Sequence, residues 1–486
     1  MKKLWKARLA RASYSGAITV FVILFALFAN EIVYTLAEHY DWYFYAEERY
    51  EHTAGHIDDA YYGYDEGERV QIVFCEEKEN IEREVAYNLV YQTALQMQER
   101  YRFVDIKHVN IYLDPNEVEE YRNVYSEDGE KTGTRSITKE TVIFDSGDRF
   151  IAMDLSDFFF LSSEQYIEAY NGEEAMAGAM RYVLSDALPI AYLTVGHGEQ
   201  LASGFVQMLS YAGYDVRVID LASEPIDPRA SLVVCMYPLY DFEKAAEGSG
   251  IVADIEAITE FVEGGGSFYC FLDPYVQKPA RLCEFLASYG IEQGDAVLRA
   301  GASDAVSVDG YSFMPYFADN AVGGRLSSAV SRVTDARMLT REVSPLVLTQ
   351  NNAQGARVDA VLVSGDGTQP TKSGEAVGEA GVYPFAALAE NEDGGSVFVM
   401  SGVYMTAQDL LRSDQRGNRD FFYALMQETD GIRAPLGATT LPMNDSVLLE
   451  GLSMSAAHHY TRILVLWMPL SVVIAAAFVL LRRKRR

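Results

Sequence analysis

The stretch AYLTVGHGEQ (Ala191–Gln200) determines the fold of the larger domain. Its apolar first half is typical of a buried strand, and glycines 196 and 198 of Gly196-His197-Gly198-Glu199 permit a sharp turn into a helix. Glu199 favours the amino end of that helix. Strand-like runs and helical apolar stripes then alternate as far as about residue 289, and a late core strand (Ser396–Gly402) and a further helix follow before residue 430. This alternation predicts an α/β fold with a doubly wound, mostly parallel sheet.

The same alternation, together with shifts in composition, predicts the domain boundaries. A smaller, membrane-proximal α/β domain precedes the main one, and a segment rich in glycine, serine and alanine interrupts the main domain. The predicted segments are a basic cytoplasmic tail (1–16), a transmembrane helix (17–37), a connector (38–67), the first α/β domain (68–188), the main domain (189–430) with an elaborating insertion at about 291–380, a return linker (431–461), a second transmembrane helix (462–481) and a basic tail (482–486).

Two apolar segments predict membrane attachment. Ile463–Leu481 carries no charge, and at ~1.5 Å per residue it would span roughly 28 Å, which is close to the thickness of a bilayer core. The five basic residues that follow favour a cytoplasmic carboxyl terminus. Near the other end, Ala17–Ala37 predicts an uncleaved anchor, with a cleaved signal peptide as the alternative. The expectation is a cell-membrane protein with two spans in contact with lipid, both termini cytoplasmic and the main body extracytoplasmic.

Charge and cysteine usage exclude several classes of function. The formal net charge is −30, and such an acidic body repels phosphate backbones, so we expect no nucleic-acid partner. The four cysteines show neither CxxC spacing nor an accompanying histidine cluster, so a zinc site built on them is not expected, and no metal ligand is assigned. DGEKTG (Asp128–Gly133) lacks the glycine spacing of a phosphate-binding loop, so any ATPase would be a separate subunit.

The Gly-His-Gly-Glu turn follows the first strand, at the edge where doubly wound sheets bind ligands. A dinucleotide motif requires a third glycine where Leu201 stands, so we expect no cofactor. No nucleophile elbow follows any strand, and no catalytic residue is assigned. Asp273, at the end of a later strand, could converge on the turn. An architectural turn, a hydrolytic or metal site and a recognition site remain open, and the residues of the candidate recognition crevice are Gly196, His197, Gly198, Glu199 and Asp273.

The run YNGEEAMAGAMRYVLSDALPIAYLTVGHGE (Tyr170–Glu199) resembles the junction of GldG-like proteins, the gliding-motility-type auxiliary components of ABC-2 transport systems. The segments GYDVRVIDL and ITEFVEGGGSFYCFLDP also fit this family. The resemblance implies an outer domain similar to class I glutamine amidotransferases without their catalytic residues. It further implies an accessory subunit that works with a separate ABC-2 permease and its ATPase.

Together these features predict a membrane-anchored extracytoplasmic accessory subunit, not an enzyme, that scaffolds or handles substrate for an ABC-2-type transport system. Two alternatives remain from the sequence. One is an ectoenzyme, a hydrolase derived from an amidotransferase-like fold. The other is an envelope-assembly scaffold unrelated to transport.

Overall fold

The computed structural model describes residues 69–125, 131–161, 167–185, 187–242, 254–392, 394–413 and 415–443. Two α/β modules follow one another along the chain. We call residues 69–185 the small module and the described residues from 187 onward the main module.

The small module is built on a four-stranded sheet of order β2-β1-β5-β6, in which β1 and β2 are parallel and the other neighbours antiparallel. Strand β1 reads VQIVF and is almost entirely buried, as expected of a central strand. The elements of the small module are β1 (Val70–Phe74), α1 (Lys78–Ile81), α2 (Val85–Arg100), β2 (Val104–His108), β3 (Asn123–Tyr125), β4 (Lys131–Thr134), β5 (Thr141–Asp145), β6 (Phe150–Asp154), β7 (Phe159–Leu161), β8 (Ile167–Tyr170) and α3 (Gly172–Leu184).

The main module is built on an eight-stranded sheet of order β10-β9-β11-β12-β23-β22-β19-β16. Its elements are β9 (Ile190–Thr194), α4 (Ser203–Tyr211), β10 (Asp215–Ile219), β11 (Ala230–Met236), α5 (Asp254–Glu263), β12 (Ser267–Phe271), α6 (Ala280–Ser288), β13 (Ile291–Gln293), β14 (Val297–Arg299), β15 (Ser312–Phe313), β16 (Tyr316–Phe317), α7 (Ala321–Ser331), β17 (Thr340–Arg341), β18 (Leu346–Leu348), β19 (Arg357–Val363), β20 (Gln369–Lys372), β21 (Glu375–Ala376), β22 (Pro384–Glu390), β23 (Ser396–Met400), α8 (Gln408–Leu411), α9 (Asn418–Asp430) and β24 (Leu441–Pro442).

The fold class differs from the prediction of a doubly wound, mostly parallel sheet. The five strands β10, β9, β11, β12 and β23 are parallel, but β22, β19 and β16 extend the sheet in antiparallel fashion. Further small antiparallel sheets lie outside the main sheet. The main sheet is therefore mixed. Two of its strands, β16 and β19, come from the segment 291–380 that the sequence predicted to be an elaboration.

The prediction of a two-span membrane protein also requires correction. No helix in the described part of the chain is long and apolar enough to cross a membrane. The predicted spans 17–37 and 462–481, on which the membrane localisation and the lipid contact depended, lie outside the described residues. The flanking transmembrane helices and the membrane localisation are therefore not retained.

Successive side chains of the central strands are apolar and point to opposite faces, so both faces of the main sheet are apolar. In β11, Val234 packs in a core with α4, α7 and α9, whereas its neighbour Cys235 packs in a second core with α5 and α6. Successive side chains of a strand point to opposite faces, so a fully buried strand needs helices on both sides. The parallel half of the sheet is covered in this way.

The end of the main module returns to the small module. Leu441 of β24 pairs with Tyr170 of β8, and Arg419 of α9 contacts Glu174 of α3 through Nη1 and Oε2 at 3.4 Å. The side chains of Arg419 and Glu174 are 6% and 2% exposed. This buried ion pair links the two modules. Loss of either partner would leave the other charge buried and uncompensated, which would strongly destabilise the fold.

Candidate functional site

The Gly-His-Gly-Glu turn lies where the strand order changes direction, between β9 and β11. Gly196 and Gly198 have φ values of +113° and +75°, which other residues rarely adopt. A Cβ on Gly198 would lie 2.9 Å from the ring of Tyr240, so this turn requires glycine for space as well as for backbone conformation. The backbone oxygen of His197 accepts hydrogen bonds from Leu239 and Tyr240 at 2.8 and 2.9 Å. These bonds join the loops after β9 and β11 at the place where the strand order reverses, which we call the switch point.

The imidazole of His197 lies between two carboxylates. Its Nδ1 is 3.0 Å from Oε1 of Glu199, and its Nε2 is 2.8 Å from Oδ2 of Asp254. The ring stacks on Phe242 with a centroid separation of 3.9 Å. The side chains of His197, Glu199 and Asp254 are only 6%, 1% and 3% exposed. We call these three residues the histidine clamp.

The electrostatics of the clamp favour a protonated imidazole. Burial of the ring lowers the pKa of His197, but the hydrogen bonds and charges of Glu199 and Asp254 outweigh burial and raise that pKa to about 9. Burial likewise raises the pKa of Glu199, yet its hydrogen bonds with the His197 ring and with backbone N–H groups lower it overall. An imidazolium can donate one N–H to each carboxylate, which agrees with both distances.

The clamp is suited to holding the turn and unsuited to proton transfer with a substrate. A general base needs an unprotonated nitrogen within reach of the proton that it removes. In His197 both ring nitrogens face carboxylates, and Phe242 covers the ring. The site therefore has the geometry of a buried ion cluster that closes the switch point with the chain's own side chains.

Of the predicted crevice residues, His197 and Glu199 lie in the clamp, and Gly196 and Gly198 shape the turn that carries them. Asp273 is not part of the clamp. Asp273 accepts a hydrogen bond from the backbone N–H of Tyr275 at 2.8 Å and stabilises its own turn. The second carboxylate of the clamp is Asp254, in the first turn of α5. A sequence signal for Asp254 did exist. It shares one face of α5 with Ile258 and Val262, and an acidic residue on an apolar helical stripe indicates a buried partner.

Tyr237, directly after β11, occupies a conformation that is costly for a bulky residue. Its φ is +56°, and hydrolases that carry a nucleophile elbow place the nucleophile on a comparable strained turn after a strand. Here the side chain is buried, and its hydroxyl contacts the backbone oxygen of Val403 and the hydroxyl of Thr406. Burial also raises the pKa of Tyr237 above its ordinary value. The hydroxyl thus serves packing and hydrogen bonding within the core.

The cysteines and acidic residues of the described chain offer no metal centre. No group of three or more histidine, cysteine, aspartate or glutamate side chains is arranged to hold a metal within these residues. Cys235 and Cys270 are register partners on β11 and β12, and both are buried as free thiols. Burial raises the pKa of the Cys270 thiol well above its ordinary value, as expected for a packed, unreactive thiol.

Comparison with known proteins does not identify a family. No protein-family model matches the sequence, and no curated protein matches it. Among solved structures, "mmIFT52 N-terminal domain" is 16% identical over 50% of this chain and 96% of that chain, with a TM-score of 0.35. A putative ThuA-like protein from Bacteroides uniformis is 11% identical over 52% of this chain and 97% of that chain, with a TM-score of 0.31. PurLQS from Thermotoga maritima is 10% identical over 50% of this chain and 99% of that chain, with a TM-score of 0.29. None of the three names a GldG-like or transport component, and likenesses at these TM-scores carry no functional argument.

Proposed function

We propose that this chain is a non-catalytic accessory subunit that scaffolds or handles substrate for a transport system with a separate permease and ATPase. The observation that carries the non-catalytic part is the histidine clamp. In doubly wound sheets the switch point is where ligands and catalytic groups are expected. In this chain His197, Glu199 and Asp254 fill that position with a closed set of hydrogen bonds.

The transport part of the proposal rests on the resemblance of Tyr170–Glu199 to the junction of GldG-like proteins. Within this stretch, helix α3, strand β9 and the glycine turn follow one another in the order that the resemblance implies. The hydrolase alternative is less favoured, because both nitrogens of His197 and the hydroxyl of Tyr237 are engaged inside the protein.

A partner subunit would bind beside the closed turn. Tyr240 and Tyr275 follow β11 and β12 at the carboxyl edge of the sheet and are 66% and 64% exposed. Tyrosine is enriched at protein interfaces because it combines a large apolar surface with a polar end. We therefore expect these two side chains to contact the permease or the ATPase.

The test is co-expression of the full chain with the ABC-2 permease and ATPase from its own genome, followed by cross-linking and identification of the linked residues. Cross-links from the loops that carry Tyr240 and Tyr275 would support the proposal, and Tyr240→Ala should weaken them. Tyr112→Ala is the matched control, since Tyr112 is 74% exposed in the small module. Absence of any cross-link to either transport subunit would refute the accessory role. A hydrolase activity that His197→Gln abolishes without loss of stability would establish the enzyme reading instead.

A further inference from the structure

A cavity of about 650 Å³ opens at the amino edge of the main sheet, on the opposite edge from the histidine clamp. Ala230 and Ser231 at the start of β11 form one side, and the glycines 264–266 before β12 form another. The loop that contains Glu224–Pro228 and the last turns of α5 complete the lining. The volume lies within the range of roughly 300–1,000 Å³ that is typical of small-molecule sites.

The inner surface of this amino-edge cavity is apolar. Leu221 is 2% exposed, and the half-buried Ile226 and Phe261 pack against the core that α5 and α6 share with the sheet. Ala257, one turn before Phe261 on α5, adds a small side chain and leaves space. An apolar body of a ligand would therefore remove both its own surface and that of these side chains from water.

The polar lining of the cavity is acidic. Glu224, Asp227 and Glu260 line it, and no described lining residue is basic. Arg229, which lies outside the lining, pairs with Asp227 at 2.8 Å, so Glu224 and Glu260 supply most of the uncompensated charge. The Oγ of Ser231 is buried and has no hydrogen-bond partner within the described protein. The chain as a whole has a formal net charge of −30, which favours the approach of cations over that of anions.

We propose that the amino-edge cavity binds a small organic ammonium ion with an apolar body. The ammonium group lies between Glu224 and Glu260, and the apolar body lies against Ile226 and Phe261. A neutral ligand of the same shape leaves the carboxylates without compensation, and an anionic ligand is repelled by them. This site is independent of the accessory function proposed above.

The experiment measures binding of three matched probes to the full chain by calorimetry at low and high salt. The probes are 2-phenylethylammonium, the neutral 2-phenylethanol and the anionic 3-phenylpropionate. We expect the ammonium probe to bind more tightly than the alcohol by about fivefold or more and the anion to bind weakest. Added salt should weaken ammonium binding, because the carboxylates are exposed.

Substitutions locate the site. Glu260→Gln should weaken ammonium binding about two- to fivefold, as expected for one exposed carboxylate. Glu256→Gln is the matched control, since this exposed residue lies four positions earlier on α5 and outside the lining. Ala257→Leu, which fills the cavity without changing charge, should weaken binding of both the ammonium probe and the alcohol. Equal affinity for the ammonium probe and the alcohol would overturn the proposal. So would the absence of ammonium binding at millimolar concentration, or affinities that Glu260→Gln and Ala257→Leu leave unchanged.

Discussion

The histidine clamp makes the stability of the main module depend on pH in a direction that the structure fixes. The pKa of His197 rises from 6.5 to about 9 on folding. A group whose folded pKa is raised stabilises the protein fully below its unfolded pKa, and this stabilisation is lost as pH rises through the folded pKa. The native protein should therefore lose stability between about pH 6.5 and pH 9. The size of the pKa change corresponds to at most about 3 kcal/mol.

Removal of the imidazole should remove that dependence. His197→Ala leaves the carboxylates of Glu199 and Asp254 buried without their cation, and loss of one partner of a buried ion pair costs about 3–5 kcal/mol. For a cooperative unit of this size, 1 kcal/mol lowers Tm by roughly 2–4 °C. At pH 6.5 we expect a decrease in Tm of roughly 6–20 °C, measured by circular dichroism, and the difference from the native protein should shrink by pH 9.5.

His108 provides the control for this experiment. It is half-buried in the small module, stacks on Phe74, and has a pKa that burial lowers. His108→Ala should therefore leave the alkaline loss of stability in place. Either of two results would contradict this reasoning. One is a Tm of His197→Ala at pH 6.5 that equals the Tm of the native protein. The other is a Tm of His197→Ala that falls as steeply as that of the native protein between pH 6.5 and pH 9.

Three further predictions concern the turn, the link between the modules and the thiols. Gly198→Ala should destabilise the protein by about 1–3 kcal/mol in thermal unfolding, more than Gly355→Ala, which has φ +68° but open space around it. Arg419→Met should cost about 3–5 kcal/mol by leaving Glu174 uncompensated, whereas Arg69→Met, which breaks the exposed pair with Asp105, should cost about 1 kcal/mol or less; equal costs would contradict this reading. An aromatic disulfide reagent should modify the partly exposed Cys283 first in the native protein, and the three buried thiols only on unfolding; rapid modification of all four would show that the strands open readily.

Local features of the fold could be predicted from the sequence because they depend on short-range patterns. The turn at Ser146-Gly147-Asp148 predicts a hairpin, and β5 and β6 pair antiparallel around it. The apolar periodicity of 173–184 predicts a helix, and α3 spans Gly172–Leu184. In contrast, the run Val109–Leu113 before the breaker Asp114-Pro115 predicts a strand, but β2 lies at Val104–His108 instead. The sequence VDIKH does alternate apolar and polar residues, so the signal for β2 was present, although only Val104 of this strand is buried.

The antiparallel half of the main sheet was missed for a topological reason. The alternation of helices and strands in the main domain predicts parallel pairing throughout its sheet. The connection from β22 to β23, however, is only the short segment 391–395, and such a connection cannot carry a crossover. The paired glycines 394 and 395 mark a turn there. Connection length, more than strand composition, contained the information on strand direction.

The candidate site could also be predicted only in part, because one of its residues comes from a distant part of the sequence. The sequence marks His197 and Glu199 through their glycine turn, but Asp254 comes from a helix 57 residues away from His197. No spacing rule connects residues so far apart, because their contact depends on how β11 and α5 pack. What the sequence does contain is an acidic residue on the buried face of α5. Such a residue indicates that a partner exists without saying which one.

Helix α5 connects the two edges of the main sheet. Its first turn carries Asp254 of the clamp, and its last turn carries Glu260 and Phe261 of the amino-edge cavity. At ~1.5 Å per residue, the positions of Asp254 and Glu260 differ by only about 9 Å along the helix axis. An ion pair with His197 fixes the amino end of α5, where a negative charge is also favoured by the helix dipole. The histidine clamp at the carboxyl edge thus positions α5, and α5 forms one wall of the amino-edge cavity.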